Sequence, residues 1–340
     1  MIVDALSVVY GAAATWRRRW YASRTRRLSR PVISIGNLRV GGTGKTPAVE
    51  AVARLLLEQG ERPAILSRGY ARRKPSADVT IVSNYGGVLT DVDHAGDEPM
   101  LLARALSGVP VLVCADRHRA GRQAETQFAS TVHLLDDGFQ HVQLWRDVDL
   151  LLVDDADLAD RVLPAGRLRE PLANAAAAHA LVVPATTAAD LTQTIAERLG
   201  VSDVFRAARS LGAPLPLGPG AVPFDSTGPV FAVAGIARPE RFFADLQASG
   251  LTVAGTQSFR DHHRFEQADV KRIADGARAC GAEAVVTTGK DAVRLEGLDL
   301  SAMPFAAVPL HTAIEPAGTF SSWLMQRLSR ARAADNRSGS

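Results

Sequence analysis

Cysteine is nearly missing from this 340-residue chain: Cys114 and Cys280 stand far apart, each in apolar company. No Cys-x-x-Cys pair and no Cys/His cluster accompanies them, so neither a disulfide framework nor structural zinc is indicated. A reducing, cytosolic setting is expected. Lysine is almost as scarce. Only Lys45, Lys74, Lys271 and Lys290 occur among 39 basic residues, which draws attention to Lys45 and Lys290 in their glycine-flanked turns. The formal net charge is only +3, a balance that gives no reason to expect a nucleic-acid partner. No apolar run reaches the roughly 20 residues that a membrane span needs. Internal repeats, coiled-coil heptads and low-complexity tracts are missing too, apart from an alanine run at 175–178. What is left is 46% hydrophobic, ample for one large or two medium packed domains.

The strongest positive signal is Pro31-Val-Ile-Ser-Ile-Gly-Asn-Leu-Arg-Val-Gly-Gly-Thr-Gly-Lys-Thr-Pro47. It reads as a buried strand, a glycine-rich turn, and a helix opening at Lys45-Thr46. Phosphate binding by a P-loop needs that order. Glycines let the backbone approach the anion, and free N–H groups at a helix start point at it. Gly41, Gly42, Thr43, Gly44, Lys45 and Thr46 form the expected nucleotide cradle. Lys45 is expected at the β- and γ-phosphates, and the Thr46 hydroxyl on Mg²⁺. The match to G-x-x-x-x-G-K-[ST] is imperfect, because Arg39 occupies the first glycine position.

A second signal is Thr131-Val-His-Leu-Leu-Asp-Asp-Gly-Phe-Gln-His141. A carboxylate at the tip of a buried strand beside a P-loop is the usual second holder of Mg²⁺, and Asp136 and Asp137 are both open to that role. Arg68-Gly-Tyr-Ala-Arg-Arg-Lys74 is a basic loop at a strand's carboxyl end, where α/β sheets bind ligands; a solvated charge run has the same composition. Gly96-Asp-Glu-Pro99 opens a helix. Asp97 and Glu98 can be simple dipole complements there. Asp97 can also orient or deprotonate an attacking hydroxyl. In Asp261-His262-His263 the adjacent imidazoles point opposite ways in extended chain, which argues against joint metal chelation. One histidine bonded to a carboxylate fits better.

Strands alternate with helices in both halves. The expected architecture is α/β: a P-loop NTPase-type, mostly parallel sheet flanked by helices, with a second, smaller α/β domain. The expected division is a basic amphipathic helical segment over 1–30, a P-loop domain over 31–212, a Pro/Gly-rich linker over 213–229, a second α/β domain over 230–333 and a disordered tail over 334–340. In the first segment Ile2, Leu6, Val9, Ala13, Trp16 and Trp20 share one helical stripe, and an arginine cluster follows. Such a helix can lie in the headgroup region of an anionic membrane. A helix packed on the domain with a solvated arginine face has the same pattern. A cleavable signal peptide would carry its positive charge first, whereas here it comes last.

Seven motifs in order make nearly the whole chain resemble the tetraacyldisaccharide 4′-kinase family of lipid A biosynthesis. They are Ser34-Ile-Gly-Asn-Leu-Arg-Val-Gly-Gly-Thr-Gly-Lys-Thr-Pro47, Leu66-Ser-Arg-Gly-Tyr70, Gly96-Asp-Glu-Pro99, Leu135-Asp-Asp-Gly-Phe-Gln-His141, Pro164-Ala-Gly-Arg-Leu-Arg-Glu-Pro171, Phe259-Arg-Asp-His-His263 and Thr287-Thr-Gly-Lys-Asp291. The family pattern also lacks a glycine at the position of Arg39; Gly289, where it has an acid, is a departure. The resemblance implies ATP- and Mg²⁺-dependent transfer of the γ-phosphate to the 4′-hydroxyl of an acylated glucosamine disaccharide 1-phosphate. It implies a peripheral protein, attached to the anionic surface of the inner membrane on its cytoplasmic face. By position it implies Asp97 as base, paired with His262 rather than His263. Lys45 and Thr46 keep their P-loop roles. Asp136, Asp137 and Glu170 form the acidic set around the metal, and Arg68, Arg167 and Arg169 contact substrate. A monomer is expected. The competing expectations are a P-loop kinase of a soluble metabolite and an ATP-driven switch that gives phosphate only to water.

Overall fold

The structure is a computed structural model that describes residues 2–70, 72–218 and 228–338. Helix α1 (Ile2–Ala22) is followed by β1 (Val32–Asn37), α2 (Lys45–Glu58), β2 (Pro63–Ser67), β3 (Thr80–Asn84), β4 (Gly87–Val88), α3 (Val92–Ala95), α4 (Asp97–Ala105), β5 (Val111–Val113) and α5 (Arg117–Phe128). Next come β6 (Val132–Asp136), β7 (Val148–Leu152), α6 (Asp155–Leu158), β8 (Ala180–Pro184), α7 (Ala189–Leu199) and β9 (Val204–Leu211). A second unit holds β10 (Leu215–Leu217), β11 (Val230–Ala234), α8 (Pro239–Ala248), β12 (Val253–Ser258), α9 (Gln267–Ala279), β13 (Ala284–Thr288), α10 (Gly289–Leu295) and β14 (Phe305–Val308). The chain ends in β15 (Leu310–Glu315) and α11 (Ala317–Ser338).

Two sheets result. The large one has the order β15-β9-β8-β7-β1-β6-β2-β5-β3-β4, and the small one β10-β14-β13-β11-β12. From β9 to β5 every neighbour in the large sheet is parallel. Strands β1, β2, β5, β6 and β7 are buried at every residue, as strands covered by helices on both faces must be. Antiparallel pairs occur only at the edges: β3 with β5 and β4, β9 with β15, and β10 with β14. The P-loop strand β1 lies between β6 and β7. The carboxyl ends of β1, β6, β2 and β5 therefore open along one edge, where nucleotide and acceptor sites of such sheets are found.

The expected boundaries need correction. The strand β10 lies inside the span 213–229, so the first residues of the expected linker already join the small sheet; residues 219–227 lie outside the described residues. The chain also returns. β15 pairs antiparallel with β9, and α11 packs Phe320, Leu324 and Leu328 into the core of the large sheet. Residues 310–338 thus belong to the first unit, not the second. Alternation along β15, with only Ile314 fully buried, makes a weak strand signal, and an amphipathic helix does not state which sheet it covers. Helix α11 runs to Ser338, five residues beyond the boundary placed at 333; residues 339 and 340 lie outside the described residues.

Candidate active site

The P-loop forms as the sequence demands. Gly44 caps α2 with φ +83°, and Gly41 lies at φ +102°, left-handed backbone that residues with a Cβ rarely adopt. That geometry turns the chain from β1 so that Lys45 and Thr46 begin the helix. Asn37, at the end of β1, ties the loop together. Its Nδ2 donates to the Arg39 carbonyl and to Thr43 Oγ1, both at 2.8 Å, while its Oδ1 accepts from Lys45 Nζ at 3.1 Å. Arg39 is not an idle substitute for glycine. Only 3% exposed, it pairs with Asp154 at 2.8 Å and Asp157 at 3.1 Å and so fastens the loop to α6. The flanking backbone is stitched to a second segment: Val40 N–H donates to the Arg167 carbonyl and Arg169 N–H to that of Leu38.

The two aspartates after β6 have different surroundings. Asp136 is 1% exposed. One oxygen accepts from Ser67 Oγ at 3.2 Å, and Oδ1 has no partner. Burial, with the Glu98 and Asp137 carboxylates beside it, pushes its pKa up to about 7. Asp137 adopts φ +53°, which swings its carboxylate onto Arg169 in a bidentate pair at 2.7 and 2.8 Å, with Lys45 Nζ 3.7 Å away. Burial works against its charge, but Arg169 and Lys45 hold its pKa down at about 2. Arg169 also donates to the carbonyl and side chain of Asn37.

Asp97 is the first residue of α4 and meets the second unit. Its Oδ2 is 2.8 Å from His262 Nδ1 and accepts from Arg294 Nε at 2.7 Å. Burial opposes the charge, yet His262 and Arg294 hold the carboxyl below the usual aspartate value. His263 turns away and bonds Asp269 at 2.9 Å. The next residue, Glu98, pairs with Lys290 of α10. One cleft of about 1180 Å³ is lined by the P-loop, Asp136, Asp137, Glu98, Lys290 and His262. Asp97, expected as the base, stands behind His262 instead of lining that cleft, so the imidazole rather than the carboxylate meets the cleft.

Sequence-expected residues are thus largely gathered, with three changes besides the placing of Asp97. Glu170 does not line the cleft: its two oxygens accept from Arg18, Gln140 and Asn174, so it anchors helix α1 instead of joining an acidic set around a metal. Arg167 is exposed and lies outside the cleft. Arg169 lines it, but its Nη1 and Nη2 donate to Asp137 and Asn37. Glu98, Arg117 and Arg294 were missed. A carboxylate in a helix's first turn looks the same whether it serves the dipole or a site, and Arg117 hides in an arginine-rich helix. Lys290 alone carried a signal, lysine scarcity beside a glycine.

Comparison with known proteins gives one answer. The family described as Tetraacyldisaccharide-1-P 4'-kinase matches residues 1–329. The tetraacyldisaccharide 4'-kinase of Geobacter metallireducens is 40% identical over 334 residues, covering 92% of this chain and 97% of that protein. The protein of the same name from Koribacter versatilis is 38% identical over 324 residues, covering 93% and 95%. A crystal structure of LpxK from Aquifex aeolicus in complex with ATP superposes with TM-score 0.76 at 32% identity, covering 96% of this chain and 100% of that one. The chain belongs to the tetraacyldisaccharide-1-P 4'-kinase family.

Proposed function

We propose that the protein transfers the γ-phosphate of ATP to the 4′-hydroxyl of a tetraacylated glucosamine disaccharide 1-phosphate. The observation that carries the reading is the Asp97–His262 hydrogen bond, 2.8 Å long and made between two units at the wall of the P-loop cleft. Lys45 and the P-loop N–H groups take the phosphates. Asp97 holds His262 Nδ1–H, and Nε2, with an Asp261 oxygen 3.9 Å away, receives the hydroxyl proton as the oxygen attacks phosphorus. Phosphorylation of the acylated disaccharide by labelled ATP is the test; release of phosphate to water alone would reject the reading.

The donor set fits Mg²⁺. Asp136 Oδ1 is buried without a partner, and Thr46, in the first turn of α2, lines the same cleft. Among the described residues no three His, Cys, Asp or Glu are assembled as a metal cage, as suits an ion held by one or two protein groups plus phosphates. Thr46 and Asp136 would hold the ion, which supplies charge neutralisation at the β- and γ-phosphate oxygens. Asp137, committed to Arg169, has the lesser claim.

The surface of α1 supports a peripheral membrane location, which the proposal places on the cytoplasmic face. Ile2, Leu6, Val9, Ala13, Trp16 and Trp20 all face outward, with Ile2 80% and Trp16 62% exposed, while Ser7, Gly11 and Arg18 form the seat. Among the described residues no helix is long and apolar enough to cross a membrane. An apolar stripe edged by tryptophan and arginine lies in an anionic headgroup layer, where the acylated acceptor is held.

A further inference from the structure

The motif Thr287-Thr-Gly-Lys-Asp291 ends in a residue that the chemistry described above leaves without a part. Asp291 is fully buried. Its Oδ2 accepts from Thr288 Oγ1 at 2.7 Å and from the Gly235 N–H at 3.0 Å, and its Oδ1 accepts from Arg294 Nη1 at 3.0 Å. Three residues apart on α10, the two side chains share a helix face. The Arg294 side chain is 5% exposed, and each nitrogen of its fork is engaged. Nε donates to Asp97 Oδ2 at 2.7 Å, Nη2 lies 2.5 Å from the same oxygen, and Nη1 also donates to the Gly235 carbonyl at 2.9 Å. That carbonyl accepts a second bond, from the His262 N–H at 3.2 Å. His262 needs such an anchor. It stands at φ +59°, left-handed backbone that disfavours a residue with a Cβ and persists only where its surroundings hold it. Neither Asp291 nor Arg294 lines the cleft, so any part they play in transfer goes through Asp97 and His262. Stability alone is a weak reason for a buried guanidinium between two carboxylates, because apolar side chains of similar volume often serve a fold as well.

We infer that Asp291 and Arg294 are positioning residues of the proposed base. Asp291 aims the guanidinium. The guanidinium fixes the Asp97 oxygen that meets the imidazole and the Gly235 carbonyl that anchors the His262 backbone. This rests on the kinase reading above. An aspartate bonded to an imidazole alone can turn about its terminal torsion, which is broad and roughly two-fold. Two nitrogens of a planar fork on one oxygen remove that freedom. The ring that faces the cleft is thereby held from both ends, at its Nδ1 and at its backbone.

The test is steady-state transfer from labelled ATP to the acylated disaccharide 1-phosphate by Arg294→Ala, Asp97→Asn and the double variant. Arg294→Ala should lower kcat by about 100-fold, the effect of a misplaced catalytic group, with the KM for ATP and for the acceptor within about 3-fold of wild type. Added to Asp97→Asn, it should cost no more than about 3-fold further, because residues that act as a unit do not add. Arg294→Lys keeps the charge without the fork and should recover part of kcat; paired with Asp97→Asn in the same way, it carries the test where Arg294→Ala fails to fold. Asp291→Asn should lower kcat in the same sense by about 10-fold. Losses that multiply in the double variant, or a change confined to KM, would make Arg294 a brace between the units and overturn the inference. Wild-type kcat in the folded variants would overturn it too. Failure of the wild type to phosphorylate the acceptor would remove the kinase reading and this inference with it.

Discussion

Replacing Arg18 by alanine asks whether the outward-facing helix is mechanically joined to the nucleotide site. Arg18 Nε and Nη2 donate to the Glu170 carboxylate at 3.0–3.1 Å, and Nη2 also donates to the Phe139 carbonyl at 3.1 Å. The guanidinium lies 4.4 Å from the Phe139 ring centroid. Side-chain exposures of 15% and 4% place the pair among buried ones, where removal of one partner costs about 3–5 kcal/mol. Glu170 would keep Gln140 and Asn174 as donors, which offsets part of the cost and leaves about 2–3 kcal/mol. At about 2 °C per kcal/mol for a chain of this size, Tm should fall by about 5 °C. The effect should reach catalysis too. Gln140 Nε2 bridges Glu170 and the Asn37 carbonyl, and Asn37 Oδ1 holds Lys45. Slackening this chain shifts the lysine proposed to meet the transferred phosphate, so kcat should fall by about 10-fold or more. Arg18→Lys keeps charge but not the planar fork and should restore only part of both losses. Thermal unfolding and initial rates on the same samples decide the matter. Lost stability with wild-type kcat would show α1 to be a seat only; an unchanged Tm would refute the buried-pair reasoning itself.

Three further outcomes are expected. Asp97→Asn should lower kcat by about 10²- to 10⁴-fold, the usual worth of proton transfer, with ATP affinity nearly intact; loss of ATP binding with normal turnover at saturation would contradict the dyad. Trp16→Ala with Trp20→Ala should weaken flotation with anionic vesicles and leave Tm unchanged, since both side chains are outside the packed face; equal flotation would make α1 a packing element alone. His141 supplies a pH signature: its folded pKa of about 3 lies below the unfolded value near 6.5, so the stability it contributes is complete above pH 6.5 and drains as pH falls towards 3, by up to about 1.4 kcal/mol per unit. Denaturant unfolding of wild type and His141→Gln at pH 7.5 and 5.5 should show a smaller loss in the variant, and equal losses would show that His141 is not buried neutral.

The parts of the site legible in sequence were the local ones. A strand, glycines and Lys45-Thr46 lie within 17 consecutive residues, and their chemistry follows from that order. The acids at 136 and 137 could be read as a pair, but not told apart. Their division comes from φ +53° at Asp137 and from Arg169, which arrives 32 positions later. The dyad joins residues 165 apart, beyond the reach of periodicity, and family resemblance supplied it. Glu170 misled for the opposite reason. Its motif placed it near the site, where the cleft wall passes on one side and α1 on the other, and only packing shows that its carboxylate faces Arg18. The return of β15 and α11 was invisible because an edge strand and an amphipathic helix fit either sheet.

The proposed base is a property of the contact between units rather than of either alone. Asp97 and Glu98 are successive residues on α4, and their partners His262, Arg294 and Lys290 all come from the second unit. Gly289, the departure from the family pattern, sits where α10 meets α4; a Cβ there would stand 3.0 Å from Leu101 Cδ1, so its absence eases the approach. With the units apart, Asp97 would face water without its imidazole, and a water molecule beside the γ-phosphate would find no assembled base. With them together, Arg294 holds the Asp97 charge in place and His262 forms the wall that an acceptor hydroxyl meets. On the proposed reading, placing base and P-loop on different units would make the transfer depend on the contact between α4 and the second unit.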